Sequence, residues 1–251
     1  GIELTIKGEA RQTINADAEV LLAAGSIGSP QLLQSSGVGP GNILRGAGIP
    51  VSHDLRGVGE NLQDHLQIRT IYKVSNTVTL NRRANSLFSK ASMALEYFLK
   101  KTGPLTMPPS QLGAFARSDA SQQSANIEWH VQPLSLDKFG EPLHEFDAIT
   151  PSVCNLRPTS RGHVRVRSPD TAIAPAITLN YLSSESDQDV AVAGLRFTRQ
   201  IMAAPALAAY QPTEWLPGAE LESDEQLREA ARELGTTIFH PVGTCKMGHD
   251  A

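Results

Sequence analysis

Cysteine is scarce in this 251-residue chain: Cys154 and Cys245 are the only two. They lie far apart and lack the spacing of a metal-ligand set. They are either free thiols of a reducing compartment or one disulfide, and no metal site is expected. No apolar run approaches the roughly 18 residues that a membrane span needs. Neither sign of charge dominates, with 22 basic and 26 acidic residues and a net charge of −4. That balance gives no electrostatic case for nucleic acid or an anionic membrane face. Internal repeats and low-complexity segments are also missing. The chain opens Gly1-Ile2-Glu3-Leu4-Thr5-Ile6 without methionine or signal peptide. If the natural start lies upstream, that absence says nothing about targeting. The expected location is cytoplasmic or membrane-peripheral.

The length suffices for one large domain or two small ones with a real core. Ile2 to Lys7 alternates and predicts a short strand. Glu19-Val20-Leu21-Leu22-Ala23-Ala24 is a continuous apolar run, the pattern of a strand buried on both faces. Gly25 ends it. Ser29 and Pro30 then supply an N-cap and first helical residue, with Gly37 as the stop. A strand, glycine turn and helix often bring a helix N-terminus toward a phosphate. Glycines crowd the stretch from Gly37 to Gly59, which reads as irregular structure or a crossing between domains. Ala84 to Lys101 places Leu87, Ala91, Leu95 and Phe98 on one helical face, ended by Gly103-Pro104. Ile127, Trp129 and Val131 share one face of a strand, as do Val164 and Val166. Such strands suit an antiparallel sheet with one covered face. Ser184 opens a helix reaching about Ala204. Ser223 and Gln226 form a capping box for another, with Leu227, Ala230, Ala231 and Leu234 as its stripe and Gly235 as its stop.

The most chemically suggestive segment is Phe239-His240-Pro241-Val242-Gly243-Thr244-Cys245-Lys246-Met247-Gly248. A residue before proline is biased away from the helical region, so His240 is presented on a turn. On spacing alone it is either a structural histidine bonding a carbonyl or a proton acceptor near neutrality.

Several separated segments point one way. Gly25-Ser26-Ile27-Gly28-Ser29-Pro30-Gln31-Leu32-Leu33-Gln34-Ser35-Ser36-Gly37-Val38-Gly39-Pro40 resembles the second signature of one family, the glucose–methanol–choline (GMC) oxidoreductases. Gly57-Val58-Gly59-Glu60-Asn61-Leu62-Gln63-Asp64-His65 resembles the segment that follows it. His240 to Gly248 resembles the stretch carrying the active-site histidine, and Ser160 to Ser168 also fits. The order and spacing agree from end to end. The resemblance implies an N-terminal G-x-G-x-x-G turn that seats the flavin dinucleotide, and no such run is present. It also implies a second active-site His or Asn beyond Ala251. These residues therefore read as an internal fragment.

What the resemblance implies follows from that. The fold is α/β (α+β): an antiparallel-sheet substrate domain backed by helices, with remnants of a Rossmann-type FAD-binding domain. Residues 1–62 and 223–251 would belong to the FAD domain and 63–222 to the substrate domain. FAD is the cofactor of the full-length parent and is not expected on this fragment. His240 would act as base or hydrogen-bond partner to the substrate hydroxyl. Gln111, His130 and Ile238 would line the substrate site, although His130 on a solvated strand face is an equal alternative. Ala24, Gly25 and Ser29 would approach the cofactor, or simply form a tight turn. His65 holds a turn, and His53, His144, His163 and His249 are surface residues. From Lys101 to Arg117 there is no Asp or Glu, and Gln111 stands where choline-oxidising members resemble one another in placing a glutamate. An uncharged alcohol is the expected substrate. A hydroxynitrile-lyase-like activity on the same scaffold, or a non-catalytic fragment, are the alternatives. The acceptor could be oxygen, a quinone or a cytochrome.

Overall fold

The computed structural model describes residues 1–6, 10–108, 110–138 and 140–248. Lys7, Pro109 and His249, on which the sequence expectations touch, lie outside these described residues. The chain runs β1 (Ile2–Leu4), β2 (Gln12–Ile14), α1 (Gly25–Ser35), β3 (Val38–Gly39), α2 (Gly41–Gly46) and β4 (His53–Asp54). It continues with β5 (Leu66–Ile68), β6 (Ile71–Lys73), α3 (Leu80–Asn85), α4 (Leu87–Lys100), β7 (Leu112–Ala116), β8 (Ile127–Gln132) and β9 (Ala148–Asn155). Last come β10 (His163–Arg165), β11 (Ala176–Thr178), α5 (Glu185–Met202), β12 (Thr213–Leu216), α6 (Asp224–Leu234) and β13 (Gly235–Thr237). Two compact units result. The first comprises Gly1–Leu62, Gly162–Leu179 and Pro241–Ala251, and the second Gln63–Arg161 and Asn180–His240.

In the first unit, Gln34 of α1 is fully buried and stitches three segments together. Its amide donates to the Val58 and Val164 carbonyls at 3.1 and 2.9 Å and accepts from Val166 N–H at 2.8 Å. A side chain at Gly59, whose φ is +86°, would meet Gln34 Nε2 and the Val164 carbonyl oxygen, each at 2.2 Å. These bonds place the β10–β11 hairpin in this unit, where the sequence reading put it in the middle domain. Val164 and Val166 are buried as the alternation predicts.

Two expectations for this unit are corrected. Helix α1 begins at Gly25, so Ser29 and Pro30 lie inside it rather than at its cap. Proline there lacks the N–H that would serve the Ser26 carbonyl. The Thr244 hydroxyl donates to that carbonyl instead, at 2.6 Å. The Glu19–Ala24 run forms no strand, and Leu21 is 82% exposed. A strand buried on both faces needs paired neighbours, and among the described residues none pairs with this segment.

The second unit is a seven-stranded antiparallel sheet organised by β9. One edge of β9 pairs with β6 at Ala148 and Ile149 and with β5 at Val153 and Cys154; the other pairs with β8 along its length. β7 extends the sheet beyond β8, β13 beyond β5, and β12 beyond β6. Ile127, Trp129, Val153 and Ile68 form one face and pack on Leu195, Val192, Leu227 and Ala231 from α5 and α6. Trp129 Nε1 donates to Thr198 Oγ1 at 2.8 Å, so the buried indole has a partner. Gly194 lets α5 approach: a Cβ there would sit 3.0 Å from Val153 Cγ2. Ser184 caps α5, and the Ser223–Gln226 capping box forms as predicted. Because Leu227, Ala230 and Ala231 are buried against this unit, residues 223–240 pack with the sheet rather than returning to the first unit.

Helix α4 departs from expectation in orientation. Its apolar stripe exists, but Leu87, Leu95 and Phe98 are exposed, and Met93 on the opposite side is the residue it buries. Periodicity identifies a face without identifying what covers it.

Candidate functional site

His240 lies at the end of a short turn that follows β13. Phe239 adopts a left-handed φ of +65°, a conformation that a bulky residue holds only when its surroundings impose it. Three bonds do so. Phe239 N–H donates to Thr237 Oγ1 at 2.8 Å, Ile238 N–H to the His65 carbonyl at 3.3 Å, and His240 N–H to Asp64 Oδ1 at 2.9 Å. Asp64 is buried, and its Oδ2 accepts the hydroxyls of Thr237 and Tyr181, each at 2.5 Å. Burial first, and then the bond to Asp64, push the Tyr181 phenol well above its ordinary value, so it remains a donor.

The His240 ring meets the His65 ring edge-on, with centroids 5.6 Å apart. His65 Nε2 lies 3.1 Å from the Leu156 carbonyl, a spacing that fixes its ring and assigns it the Nε2–H tautomer. Among the described residues no hydrogen bond to the His240 ring nitrogens is present, and the side chain is exposed. The backbone is anchored while the imidazole is left able to act.

His130 and Glu128 project from β8 on the face opposite Trp129, with His130 Nε2 3.3 Å from Glu128 Oε1. Gln111 precedes β7; its side chain is exposed and its N–H donates to the Val131 carbonyl at 3.0 Å. His240, Ile238, His130 and Gln111 thus all belong to the second unit. Ala24, Gly25 and Ser29 belong to the first. There Ser29 Oγ accepts the Ala24 N–H at 3.1 Å, and Ser26 Oγ donates to the Pro241 carbonyl at 2.5 Å. Gly25 has φ +75°, and among the described residues no heavy atom beyond its chain neighbours and the helix backbone lies within 4 Å of where a Cβ would stand.

Sequence reading overlooked Asp64, Tyr181 and Thr237. The adjacency of Asp64 to His65 inside the Gly57–His65 motif was the available signal. It also placed His144 on the surface. Instead His144 stacks on Phe146 at 4.7 Å and bonds Ser135 Oγ at 2.9 Å and Asp137 at 3.1 Å.

The fold is one shared with oxidases. A formate oxidase from Aspergillus oryzae superposes with a TM-score of 0.86 at 24% identity, over 96% of this chain and 47% of that one. Pyridoxine 4-oxidase from Mesorbium loti gives 0.75 at 27% identity, over 90% and 40%. The two GMC oxidoreductase family models match residues 1–67 and 158–251, together more than half of the chain. The chain belongs to the GMC oxidoreductase family. An oxygen-dependent choline dehydrogenase of Pectobacterium carotovorum is 42% identical over 97% of this chain, and one of Escherichia coli 41% over 94%. The chain spans 44% and 42% of their respective lengths.

Proposed function

We propose that the whole protein oxidises the CH–OH group of a small primary alcohol with FAD as cofactor. The Asp64-anchored turn that presents a His240 imidazole unbonded among the described residues, in a chain of this family, carries the reading. His240 accepts or hydrogen-bonds the hydroxyl proton as the alcohol becomes a carbonyl compound. FAD, when bound, supplies the two-electron acceptor. The residues present suit the edge of such an anionic group. Helix α1 starts without a side-chain cap or an acidic residue in its first turn, and Gly25 leaves its approach open. Ala24, Gly25 and Ser29 would hold that edge, while the G-x-G-x-x-G turn is not among the 251 residues.

The substrate reading favours an uncharged alcohol, because residues 101–117 offer no carboxylate and Gln111 offers only a dipole. A second reading, choline, is favoured by one cross-strand pair. Phe115 lies opposite Glu128 on the face that carries His130, so an aromatic ring and a carboxylate are adjacent there. The names of the choline dehydrogenase relatives point the same way.

The test of the reaction is His240→Ala in the full-length protein. Loss of general-base assistance lowers turnover by about 10²–10⁴-fold while flavin stays bound. Parental turnover in the variant would make His240 structural. Anaerobic bleaching of the flavin by an alcohol separates oxidation from a lyase reaction on the same scaffold.

A further inference from the structure

We propose that Glu128, His130 and Cys154 form a binding site for a borderline-soft divalent cation, with zinc the best match. Nothing in the sequence spacing announces it, because the three residues meet only through strand pairing. Glu128 and His130 alternate onto one face of β8, and Cys154 of β9 stands directly opposite Glu128. Their ligand atoms all lie within 4.8 Å of one another, with the His130–Glu128 pair already at 3.3 Å. Tetrahedral zinc with bonds of about 2.0–2.3 Å holds its ligand atoms about 3.3–3.8 Å apart. Side-chain rotation of about an ångström therefore closes the set, on a scaffold of hydrogen-bonded strands.

Two buried polar atoms point to a missing ligand. His130 Nε2 is shielded from solvent yet makes no hydrogen bond among the described residues, its approach to Glu128 being misdirected. Ser152 Oγ, from the residue paired with His130, is likewise buried without a partner among the described residues. Leaving such atoms dry and unbonded is unfavourable, and native folds largely avoid it. A cation at this point satisfies the imidazole, and Ser152 or a water supplies the fourth position.

The local charge is consistent with this. Burial, then the nearby carboxylates of Glu128 and Asp64, push the Cys154 thiol up to about 12. Burial disfavours any charge here, but the two carboxylates favour a cation over a thiolate, and a bound cation in turn deprotonates the thiol. One sulfur, one imidazole nitrogen and one carboxylate oxygen suit zinc or cobalt rather than magnesium or calcium. The site gives His130 and Glu128 a ligand's role in place of the substrate contacts considered for them, and leaves the role of His240 untouched.

The test uses the 251-residue chain itself, stripped with a chelator, free of any histidine tag and kept reduced. Titration with Co²⁺ is expected to give a thiolate-to-cobalt charge-transfer band that saturates at one equivalent and is displaced by Zn²⁺. Cys154→Ser should abolish the band, and His130→Ala should weaken zinc binding at least tenfold, with circular dichroism unchanged in both. Cys245→Ser should leave the band intact. The proposal is overturned if no stoichiometric band forms, if it survives Cys154→Ser, or if Cys245→Ser removes it. Should Cys154→Ser misfold, thermal unfolding replaces it: one equivalent of Zn²⁺ is expected to raise the Tm of the parent chain but not that of His130→Ala, and no shift, or the same shift in both, overturns the proposal.

Discussion

Asp64 Oδ1 receives the backbone N–H of His240 at 2.9 Å, although 176 positions separate the two residues in the chain. The same carboxylate takes the Thr237 and Tyr181 hydroxyls on its other oxygen. One buried acid therefore sets the conformation of the turn that presents the imidazole. Asp64→Ala leaves three donors without their acceptor, at roughly 1–3 kcal/mol for each that stays dry. Some of these donors can reach water, so the expected loss is about 2–4 kcal/mol in urea unfolding of the chain. Asp64→Asn keeps an oxygen for the His240 N–H and should lose less. An Asp64→Ala chain as stable as the parent would remove the carboxylate from this role.

The phenols give a pH signature. Burial raises Tyr181, as does its bond to Asp64; burial raises Tyr72, followed by the charge of Glu214. Both folded values lie above the unfolded value of about 10. Their contribution to stability is thus fully present below about pH 10 and is lost as pH rises toward the folded values. Tyrosinate absorbance should show Tyr72 and Tyr181 ionising late in the folded chain, and normally once the chain is unfolded. Tyr181→Phe should flatten the alkaline loss of stability. Tyr72 and Tyr181 titrating near pH 10 in the folded chain would contradict the burial described.

What could be read in advance was local. The capping serines at 184 and 223 and the alternation of Ile127 and Trp129 each rest on neighbouring residues, and the structure contains them. The failures needed a partner from elsewhere. Val20, Leu21 and Leu22 have strand composition but no paired neighbour among the described residues, and the α4 stripe faces outward. Pro30 sits inside a helix because Thr244, remote in sequence, serves the carbonyl it leaves bare. Asp64 joins Tyr181, Thr237 and His240 only in three dimensions.

The thiols distinguish themselves by exposure. Both cysteines are free; Cys245 is exposed and Cys154 is buried with its thiol pushed up to about 12. Since the thiolate is the reactive form, Cys154 should be inert at neutral pH. A chromogenic disulfide reagent should titrate one thiol in the native metal-free chain and two after unfolding. Cys245→Ser should remove the native reaction. Two native thiols reacting at similar rates would show that the β9 strand opens readily, against its burial in the sheet.

The proposed substrate preference rests on desolvation. A trimethylammonium group entering a cavity sheds water, and an unpaired buried charge is unfavourable by several kcal/mol. Each 1.4 kcal/mol is about tenfold in an equilibrium or rate ratio. Residues 101–117 contain no anion, and Gln111, beside the strand that carries Phe115, can offer only an amide dipole. In the full-length protein kcat/KM for an uncharged alcohol should therefore exceed that for choline of similar size by at least about tenfold. Gln111→Glu, which adds a charge without changing the size of the side chain much, should shift the ratio toward choline. Glu128 supplies the opposing case, because its carboxylate stands across from Phe115 and shares a sheet face with His130. If the wild type prefers choline and Glu128→Gln abolishes that preference, the cation is held by Glu128 and the neutral-alcohol reading fails. If the neutral alcohol wins and Glu128→Gln leaves the ratio unchanged, Glu128 is free of the substrate.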